Sequence, residues 1–310
     1  MTPDATGGRR EPARRRSCLV TPASAPRLVA SATRVNVDEL ILDLEDSVAP
    51  SAKEAAREAA VEALRRDWAS PLRAVRTNAV GSDWFADDLA ALLGAGARID
   101  ALVLPKVEEP ATVREVADAL DRSECPAVIE VVIESPRALV QVEAIATSSR
   151  RLAALVFGAG DYAASLGVFQ QSIGGSDPAY PGDQWHYPRA RIAVAASACG
   201  LQAIDTPYAA IDDLEGFRAS ASSARAVGFS GKWVIHPKQI EPCDRVFTPS
   251  AAEIAAAHGV LAALGSGDSH GVGALRSGGS MIDAASARAA KLVLARADAG
   301  CASLIDRCST

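Results

Sequence analysis

The chain has 310 residues, enough for one large α/β domain or for two domains of ordinary size. Its net charge of −6, without any basic stripe, argues against nucleic acid as a partner. The six cysteines are scattered with no Cys-X-X-Cys pair, which argues against a disulfide framework or a zinc site and is typical of a reducing compartment.

The first residues carry no targeting pattern. Residues 1–15 lack the apolar stretch of a secretory signal, and Asp4 and Glu11 argue against a transit peptide despite the neighbouring arginines. No uninterrupted apolar run approaches the roughly 18 residues that span a bilayer. We therefore expect a disordered tail at 1–15 and a cytoplasmic protein that is not embedded in a membrane.

Apolar segments recur along the chain, and most are followed by a stretch compatible with a helix. The predicted strands are 17–20, 40–44, 72–76, 101–104, 127–133, 152–157, 201–204 and 231–235. The predicted helices between and after them are 51–66, 84–93, 111–120, 138–147, 189–199 and 213–227. Ser51 and Glu54 have the spacing of a capping box at the start of the first helix. Alternation of strands and helices implies a parallel sheet.

Eight such units over about 250 residues match a (β/α)8 TIM barrel, and an open doubly wound sheet is the alternative. Polar residues follow nearly every strand, and only a closed barrel brings all these ends to one mouth. They are Asp43, Glu45, Asp46, Arg76, Asn78, Lys106, Glu134, Asp161, Asp205 and His236. We therefore predict a catalytic (β/α)8 barrel at 16–248.

The segment after the barrel differs from it in composition and in hydrophobic pattern. Helical patterns at 253–264 and 283–298 flank a stretch rich in glycine and serine at 265–280. This segment is too small to build a core of its own, so it should pack on the barrel or on a neighbouring subunit. We predict that 249–310 is a C-terminal helical lid or oligomerisation segment.

The carboxylates at the strand ends are candidate metal ligands. Glu134 and Asp161 end adjacent strands, which run about 4.8 Å apart. Mg²⁺ takes one or two protein carboxylates together with waters and substrate oxygens. Each acid alone could instead pair with a cation or cap a helix. Their repetition at strand ends favours a Mg²⁺ site formed by Glu134 and Asp161.

Three basic side chains also follow strands. Arg76 can bind a substrate carboxylate or stabilise an oxyanion, and it can also pair with Glu45 or Asp46. Lys106 could form a Schiff base, although the acids that follow it favour an ion-paired lysine. His236 could be a base, a ligand or a structural hydrogen-bond donor.

Several motifs, in the right order over about residues 15–300, resemble the HpcH/HpaI aldolase and citrate lyase β-subunit (CitE-like) superfamily. They are Leu42-Asp-Leu-Glu-Asp-Ser-Val48, Val75-Arg-Thr-Asn78, Leu104-Pro-Lys-Val-Glu108, Ile133-Glu-Ser135, Phe157-Gly-Ala-Gly-Asp161 and Gly231-Lys-Trp-Val-Ile-His-Pro237. The segments 180–187 and 203–208 look most like the malyl-CoA and β-methylmalyl-CoA lyase branch.

This resemblance implies roles for particular residues. Glu134 and Asp161 would bind Mg²⁺, and Arg76 would hold the 2-oxo acid. Glu45 and Asp46 would lie in the hydrogen-bonded shell around the metal waters. Asp283 would be the acid/base of a lid that reaches a neighbouring subunit in a homotrimer or homohexamer. Arg16 and Arg27 join Arg76 as expected substrate-binding residues. In the first loop, Ala23, Ala25 and Ser31 replace residues usual in the family, and Arg27 and Arg34 could substitute for the missing cations.

The implied function is Mg²⁺-dependent, reversible carbon–carbon cleavage of a 3-hydroxyacyl-CoA to an acyl-CoA and a 2-oxo acid. Malyl-CoA, β-methylmalyl-CoA and citramalyl-CoA are the substrate types. Two alternatives stay open. One is a citrate-lyase-like subunit that acts on an acyl-carrier-protein thioester. The other is a malate-synthase-like enzyme that also hydrolyses the thioester.

Overall fold

The computed structural model describes residues 13–307 except 171, 176, 178, 269–273 and 278–279. The chain divides into two compact units, the first ending at Asp244 and the second beginning at Arg245. Residues 1–12 of the predicted tail lie outside the described range. Arg15, placed at the end of that tail by the sequence prediction, is instead buried with 3% of its surface exposed.

The first unit is a closed barrel of eight parallel strands in sequential order, β1 through β8, which confirms the predicted fold class. The strands are β1 Ser17–Pro22, β2 Glu39–Asp43, β3 Leu72–Arg76, β4 Ala101–Leu104, β5 Val128–Ile133, β6 Leu152–Phe157, β7 Gln202–Asp205 and β8 Gly231–Val234. They read as nearly continuous apolar runs because both faces of a parallel sheet are covered. Pairing of β1 with β8 closes the barrel.

Helices lie between successive strands. They are α1 Pro26–Ala32, α2 Lys53–Leu64, α3 Phe85–Gly94, α4 Pro110–Arg122, α5 Pro136–Val140, α6 Val142–Ala146, α7 Ala159–Ser165, α8 His186–Ala198 and α9 Leu214–Ala226, with α10 Ile240–Phe247 after β8. The short helices α1 and α7 were not predicted. The capping box of Ser51 and Glu54 is wrong, because a 3₁₀ turn at Pro50–Ala52 precedes α2 and no side chain caps that helix.

Charged side chains fill the amino-terminal end of the barrel. Arg15 Nε lies 2.6 Å from Glu130 and 3.0 Å from Glu39, and its Nη1 donates to Gln202 at 2.8 Å. Glu39 and Glu130 are both completely buried. Burial, together with the charge of Glu39, raises the pKa of Glu130 to about 8. One guanidinium therefore faces two buried carboxyls.

A second buried ion network lies at the end of β7. Asp205 accepts hydrogen bonds from Arg189 Nε at 2.9 Å and from Lys232 Nζ at 2.5 Å. Asp205 and Lys232 are both fully buried. This network ties α8 to strands β7 and β8, so Asp205 has a structural role although it follows a strand as the site residues do.

After the end of α10, the described residues of the second unit form two helices and a small sheet. Its elements are α11 Ala251–Asp268, β9 Ala274–Ser277, β10 Ser280–Asp283 and α12 Ala284–Arg307. The antiparallel pair β9–β10 was not predicted, because its few residues lie among the glycines and serines of 265–280. The helices appear where the sequence predicts them.

One helical stretch among the described residues, Pro237–Gly265, is long and apolar enough to cross a membrane by length and composition alone. Glu253 and His258 interrupt it, and α10 ends before Pro249. A single stretch of this kind is weak support for a membrane-spanning protein.

Candidate active site

Arg76 and Asp43 form the centre of the barrel mouth. They are register partners on the neighbouring strands β3 and β2. Arg76 donates to Asp43 through Nε at 2.6 Å and through Nη2 at 2.7 Å. Burial opposes ionisation of Asp43, but the Arg76 guanidinium outweighs it and lowers the pKa of Asp43. The pair fixes the guanidinium, which also lies 5.4 Å from the Trp233 ring centroid.

Glu45 and Asp46 follow Asp43 in the turn after β2. Glu45 is buried, with Oε2 3.0 Å from Arg76 Nη1. Asp46 is exposed and accepts from Lys106 Nζ at 3.1 Å, and the same ammonium contacts Glu45 Oε1. Burial raises the pKa of Glu45. The hydrogen bond from Lys106 outweighs burial at Asp46 and lowers its pKa. The two neighbouring acids therefore differ in their readiness to hold a proton.

Lys106 is an ion-paired lysine. Partial burial opposes its charge, but its hydrogen bonds to Glu45 and Asp46 outweigh this effect and raise its pKa. A protonated amine cannot attack a carbonyl, so the arrangement does not support a Schiff base.

Glu134 follows β5 and is almost completely buried. Its Oε1 accepts the backbone N–H of Lys106 at 2.5 Å. Burial, reinforced by the charges of Asp161 and Glu45, raises the pKa of Glu134 to about 8. Gly158 makes room for this side chain, because a Cβ at Gly158 would lie 2.5 Å from Glu134 Cβ.

Asp161 lies in the first turn of α7, which starts directly after β6. Its charge contributes to the raised pKa of Glu134, so the two predicted metal ligands interact electrostatically. The Thr206 hydroxyl, at the end of β7, accepts the N–H of Ala159 at 3.2 Å and anchors the start of this helix. The sequence reasoning did not foresee this contact, because α7 itself was not predicted.

The acids at the mouth fit a divalent cation. Glu134 is buried in a space that only glycine at position 158 allows, and its carboxyl faces other acids. Glu45 Oε2 is buried and accepts no hydrogen bond. No cluster of three or more potential His, Cys, Asp or Glu ligands exists among the described residues. Two carboxylates suit Mg²⁺, which keeps several waters.

Arg16, which was expected to bind substrate, does not lie at the barrel mouth. Arg16 precedes β1 and so lies at the amino-terminal end of the barrel, whereas barrel active sites use the carboxyl ends of the strands. Its guanidinium is buried and paired with Asp38 at 2.8 Å and with Asp244 at 3.2 Å. Arg27, in contrast, is exposed at the start of α1, after the carboxyl end of β1.

Asp283 belongs to the second unit, at the end of β10. Its Oδ1 accepts the N–H groups of Ala285 at 2.9 Å and Ser286 at 3.0 Å, which caps α12. The hydrogen bond from Ser286 lowers the pKa of Asp283.

Two further residues have structural rather than chemical positions. His236 Nδ1 accepts the N–H of Lys238 at 3.1 Å and caps a 3₁₀ turn, which supports the structural interpretation of this histidine. Lys53, which the sequence reasoning did not single out, is buried and donates to the carbonyls of Leu44 and Glu45 at 2.8 Å each. It holds the turn that carries Glu45 and Asp46. Lys53 is the first residue of α2.

Comparison with known proteins places this site in a family context. A sequence profile of the HpcH/HpaI aldolase/citrate lyase family matches residues 16–237. The L-malyl-CoA/β-methylmalyl-CoA lyase of Cereibacter sphaeroides is 37% identical over 305 residues, covering 93% of this chain and 96% of that protein. The citrate lyase subunit β of Haemophilus influenzae is 32% identical over 294 residues, covering 92% and 98%.

A solved structure agrees with these sequence relatives. CitE of Mycobacterium tuberculosis, in complex with magnesium, acetoacetate and coenzyme A, has a TM-score of 0.76 and 33% identity. The match covers 93% of this chain and all of that one.

Proposed function

This chain belongs to the HpcH/HpaI aldolase/citrate lyase family and is a carbon–carbon lyase, and we propose that it reversibly cleaves a 3-hydroxyacyl-CoA. The products would be an acyl-CoA and a 2-oxo acid. The observation that carries the proposal is the Arg76 guanidinium fixed by Asp43, together with the buried carboxyl of Glu134, whose pKa is raised by burial and by the charge of Asp161. A cation and a pair of carboxylates at one mouth suit the recognition of an oxo acid.

Arg76 is suited to bind the oxygens of the oxo acid. Asp43 uses its Nε and one Nη2 hydrogen. A guanidinium has five N–H donors, so three remain beyond this pair, and Nη1 lies 3.0 Å from Glu45 Oε2 as an ion pair. A guanidinium held in this way stabilises negative charge that develops on a substrate oxygen without having to reorganise.

Glu134 and Asp161 would hold a divalent cation, which we propose to be Mg²⁺, with Glu45 and Asp46 orienting the surrounding waters. The magnesium present in the CitE complex supports this assignment. When bound, such an ion supplies Lewis-acid polarisation of the oxo-acid carbonyl. Arg76, Glu45 and Glu134 are buried, and a low effective dielectric around them strengthens these electrostatic interactions.

In the cleavage direction the substrate hydroxyl loses its proton and the carbon–carbon bond breaks. The bonding electrons pass to the α-carbon of the thioester, which then takes up a proton to give the acyl-CoA. We propose that Asp283 is the acid/base, which takes the proton from the hydroxyl and returns it to the α-carbon. Arg27, exposed after β1, is proposed to meet a CoA phosphate.

We also propose a cytoplasmic homotrimer or homohexamer in which residues 249–310 form a lid segment. Sedimentation equilibrium of the full chain tests the assembly, and a monomer at micromolar concentration would contradict it.

The deciding experiment is a substrate panel. Malyl-, β-methylmalyl-, citramalyl- and citryl-CoA are each incubated with enzyme and Mg²⁺, and release of 2-oxo acid is measured with and without EDTA. We expect release from at least one thioester, abolished by EDTA. No release from any member, by a folded enzyme, would contradict the proposal.

Citrate-lyase-like action on a carrier-protein thioester is a second candidate, favoured by the 32% identity to citrate lyase subunit β. It predicts oxo-acid release from a citryl-acyl-carrier protein and none from free CoA thioesters.

A thiol reagent added to the CoA assays tests the hydrolytic alternative, because free CoA is released only when the thioester is hydrolysed.

A further inference from the structure

Lys106 has an unusual backbone. It follows β4 and Pro105 with a φ of 54°, in the left-handed region. Among the described residues only Glu124 shares a positive φ without being glycine. Strained backbone of this kind persists where the surroundings hold it in place, and it concentrates at functional sites.

The backbone and the side chain of Lys106 contact different acids. The N–H group donates to Glu134 Oε1 at 2.5 Å. The ammonium reaches the other side of the mouth, where it lies 3.1 Å from Asp46 Oδ1 and contacts Glu45 Oε1. One residue therefore touches three of the site carboxylates.

The two kinds of contact have different consequences. The N–H orients Glu134 whatever side chain stands at this position. The ammonium, in contrast, occupies oxygens of Glu45 and Asp46 that would otherwise be attracted to a divalent cation held by Glu134 and Asp161. Carboxylates that reach such an ion displace the waters and substrate oxygens that Mg²⁺ otherwise keeps.

We propose that Lys106 is a positioning residue that holds Glu45 and Asp46 away from the divalent cation, so that coordination positions stay open for the oxo acid. This inference rests on the proposed lyase function. It adds a role for a side chain that would contact neither the cation nor the substrate.

The sign of the expected effect distinguishes this role from a simple supporting one. Loss of the ammonium should tighten metal binding and at the same time impair substrate binding and turnover. A residue needed only for the fold would weaken metal binding, or leave it unchanged, as stability falls.

The test compares Lys106→Met, Lys106→Gly and Lys106→Arg in the full-length enzyme. Lys106→Met removes the charge but keeps the length of the side chain. Lys106→Gly removes the charge, and glycine adopts the left-handed backbone conformation without strain. This variant therefore replaces Lys106→Met if the methionine variant fails to fold. Lys238→Met is the matched control, because Lys238 forms an exposed ion pair with Asp212 at 2.9 Å.

Two readouts use Mn²⁺ without substrate. Electron paramagnetic resonance measures free Mn²⁺ and thus its Kd, and water-proton relaxation reports the waters on the bound ion. We expect Lys106→Met and Lys106→Gly to bind Mn²⁺ about ten-fold more tightly and to show lower relaxation enhancement, because carboxylates replace waters. The 2-oxo acid KM should rise and kcat should fall, with partial recovery in Lys106→Arg.

The outcomes separate the two proposals. Unchanged or weaker Mn²⁺ binding, or undiminished water relaxation, in both uncharged variants would overturn the role of Lys106. If the wild-type enzyme itself binds no Mn²⁺ and releases no oxo acid, the proposed function fails instead. Lys238→Met should match the wild type in every readout, and a change in it equal to that of Lys106→Met would also overturn the inference.

Discussion

Arg76 and Asp43 are cross-strand partners joined by two hydrogen bonds of 2.6 and 2.7 Å inside the barrel mouth. The guanidinium that we propose to bind the oxo acid is thus held by an acid that belongs to the barrel itself. Removing one partner of a buried pair leaves the other charge uncompensated.

We therefore expect Asp43→Asn to lower stability by about 3–5 kcal/mol and kcat/KM by roughly 100-fold. Urea unfolding and steady-state kinetics measure the two effects. Asp87→Asn is the control, since Asp87 is a mostly exposed partner of Arg57 at 3.7 Å. Equal losses in both variants would show that the position of the charge inside the mouth does not matter.

Glu134→Gln and Asp161→Asn should each reduce Mg²⁺-dependent turnover to the level of the EDTA-treated enzyme while the circular dichroism spectrum is preserved. Both changes remove a hard anionic ligand but keep the side-chain shape. Glu108→Gln provides the comparison, because Glu108 follows the neighbouring strand but accepts a hydrogen bond from Ser135. Near-normal activity in either site variant would refute the ligand assignment.

Gly158→Ala should displace Glu134, because the added Cβ would lie 2.5 Å from Glu134 Cβ and 2.7 Å from its Oε2. A misplaced ligand commonly lowers activity by roughly 100-fold. The matched control is Gly160→Ala, where the nearest atom is the Ile173 Cδ1 at 3.3 Å, the end of a side chain that can move. Comparable kcat/KM in the two variants would contradict the close fit of Glu134 against residue 158.

Asp283→Asn should lower kcat far more than it raises KM, because asparagine still caps α12 but cannot exchange a proton at neutral pH. Asp283→Ser, which also caps a helix, should behave in the same way. Full turnover in either variant, measured with a thermal melt to confirm folding, would exclude Asp283 as the acid/base.

Glu130 makes stability depend on pH. Its pKa is raised from 4.5 to about 8, so the folded protein binds this proton more tightly than the unfolded chain does. Its contribution is complete below pH 4.5 and is lost as pH rises towards 8. The free energy of unfolding of the wild type, relative to Glu130→Gln, should therefore fall over this interval.

Urea titrations at several pH values measure this difference, with the exposed Glu62→Gln as the control. A difference that stays constant with pH would contradict the raised pKa of Glu130.

The strand pattern of the sequence was enough to predict the barrel, and its motifs were enough to predict the family. Continuous apolar runs locate buried strands because both faces of a parallel sheet are covered. Polar residues directly after those runs, such as Glu134 and Arg76, lie at the mouth because every strand points the same way. Asp43, one of the polar residues at the strand ends, ties β2 to β3 through Arg76.

Other features depend on contacts that no local pattern encodes. Arg16 stands beside a conspicuous strand, but it precedes that strand and so lies at the opposite end of the barrel from the site. The left-handed backbone of Lys106 is unusual for lysine and depends on the surrounding structure. The short helices α1 and α7 contain few residues, so their periodicity is too brief to detect.

The pairing of β1 with β8 has a consequence for the biogenesis of the protein. During synthesis β1 leaves the ribosome long before β8, the second strand with which it pairs. One edge of β1 therefore stays unpaired until Gly231–Val234 has emerged. A Cβ at Gly231 would lie 1.7 Å from the carbonyl oxygen of Arg15, so only glycine fits at this position of the β1–β8 pairing. We expect the pairing of β1 with β8 to be the late step of folding, because contacts between distant parts of a chain form slowly. Nascent chains that lack β8 should therefore be the species that chaperones retain.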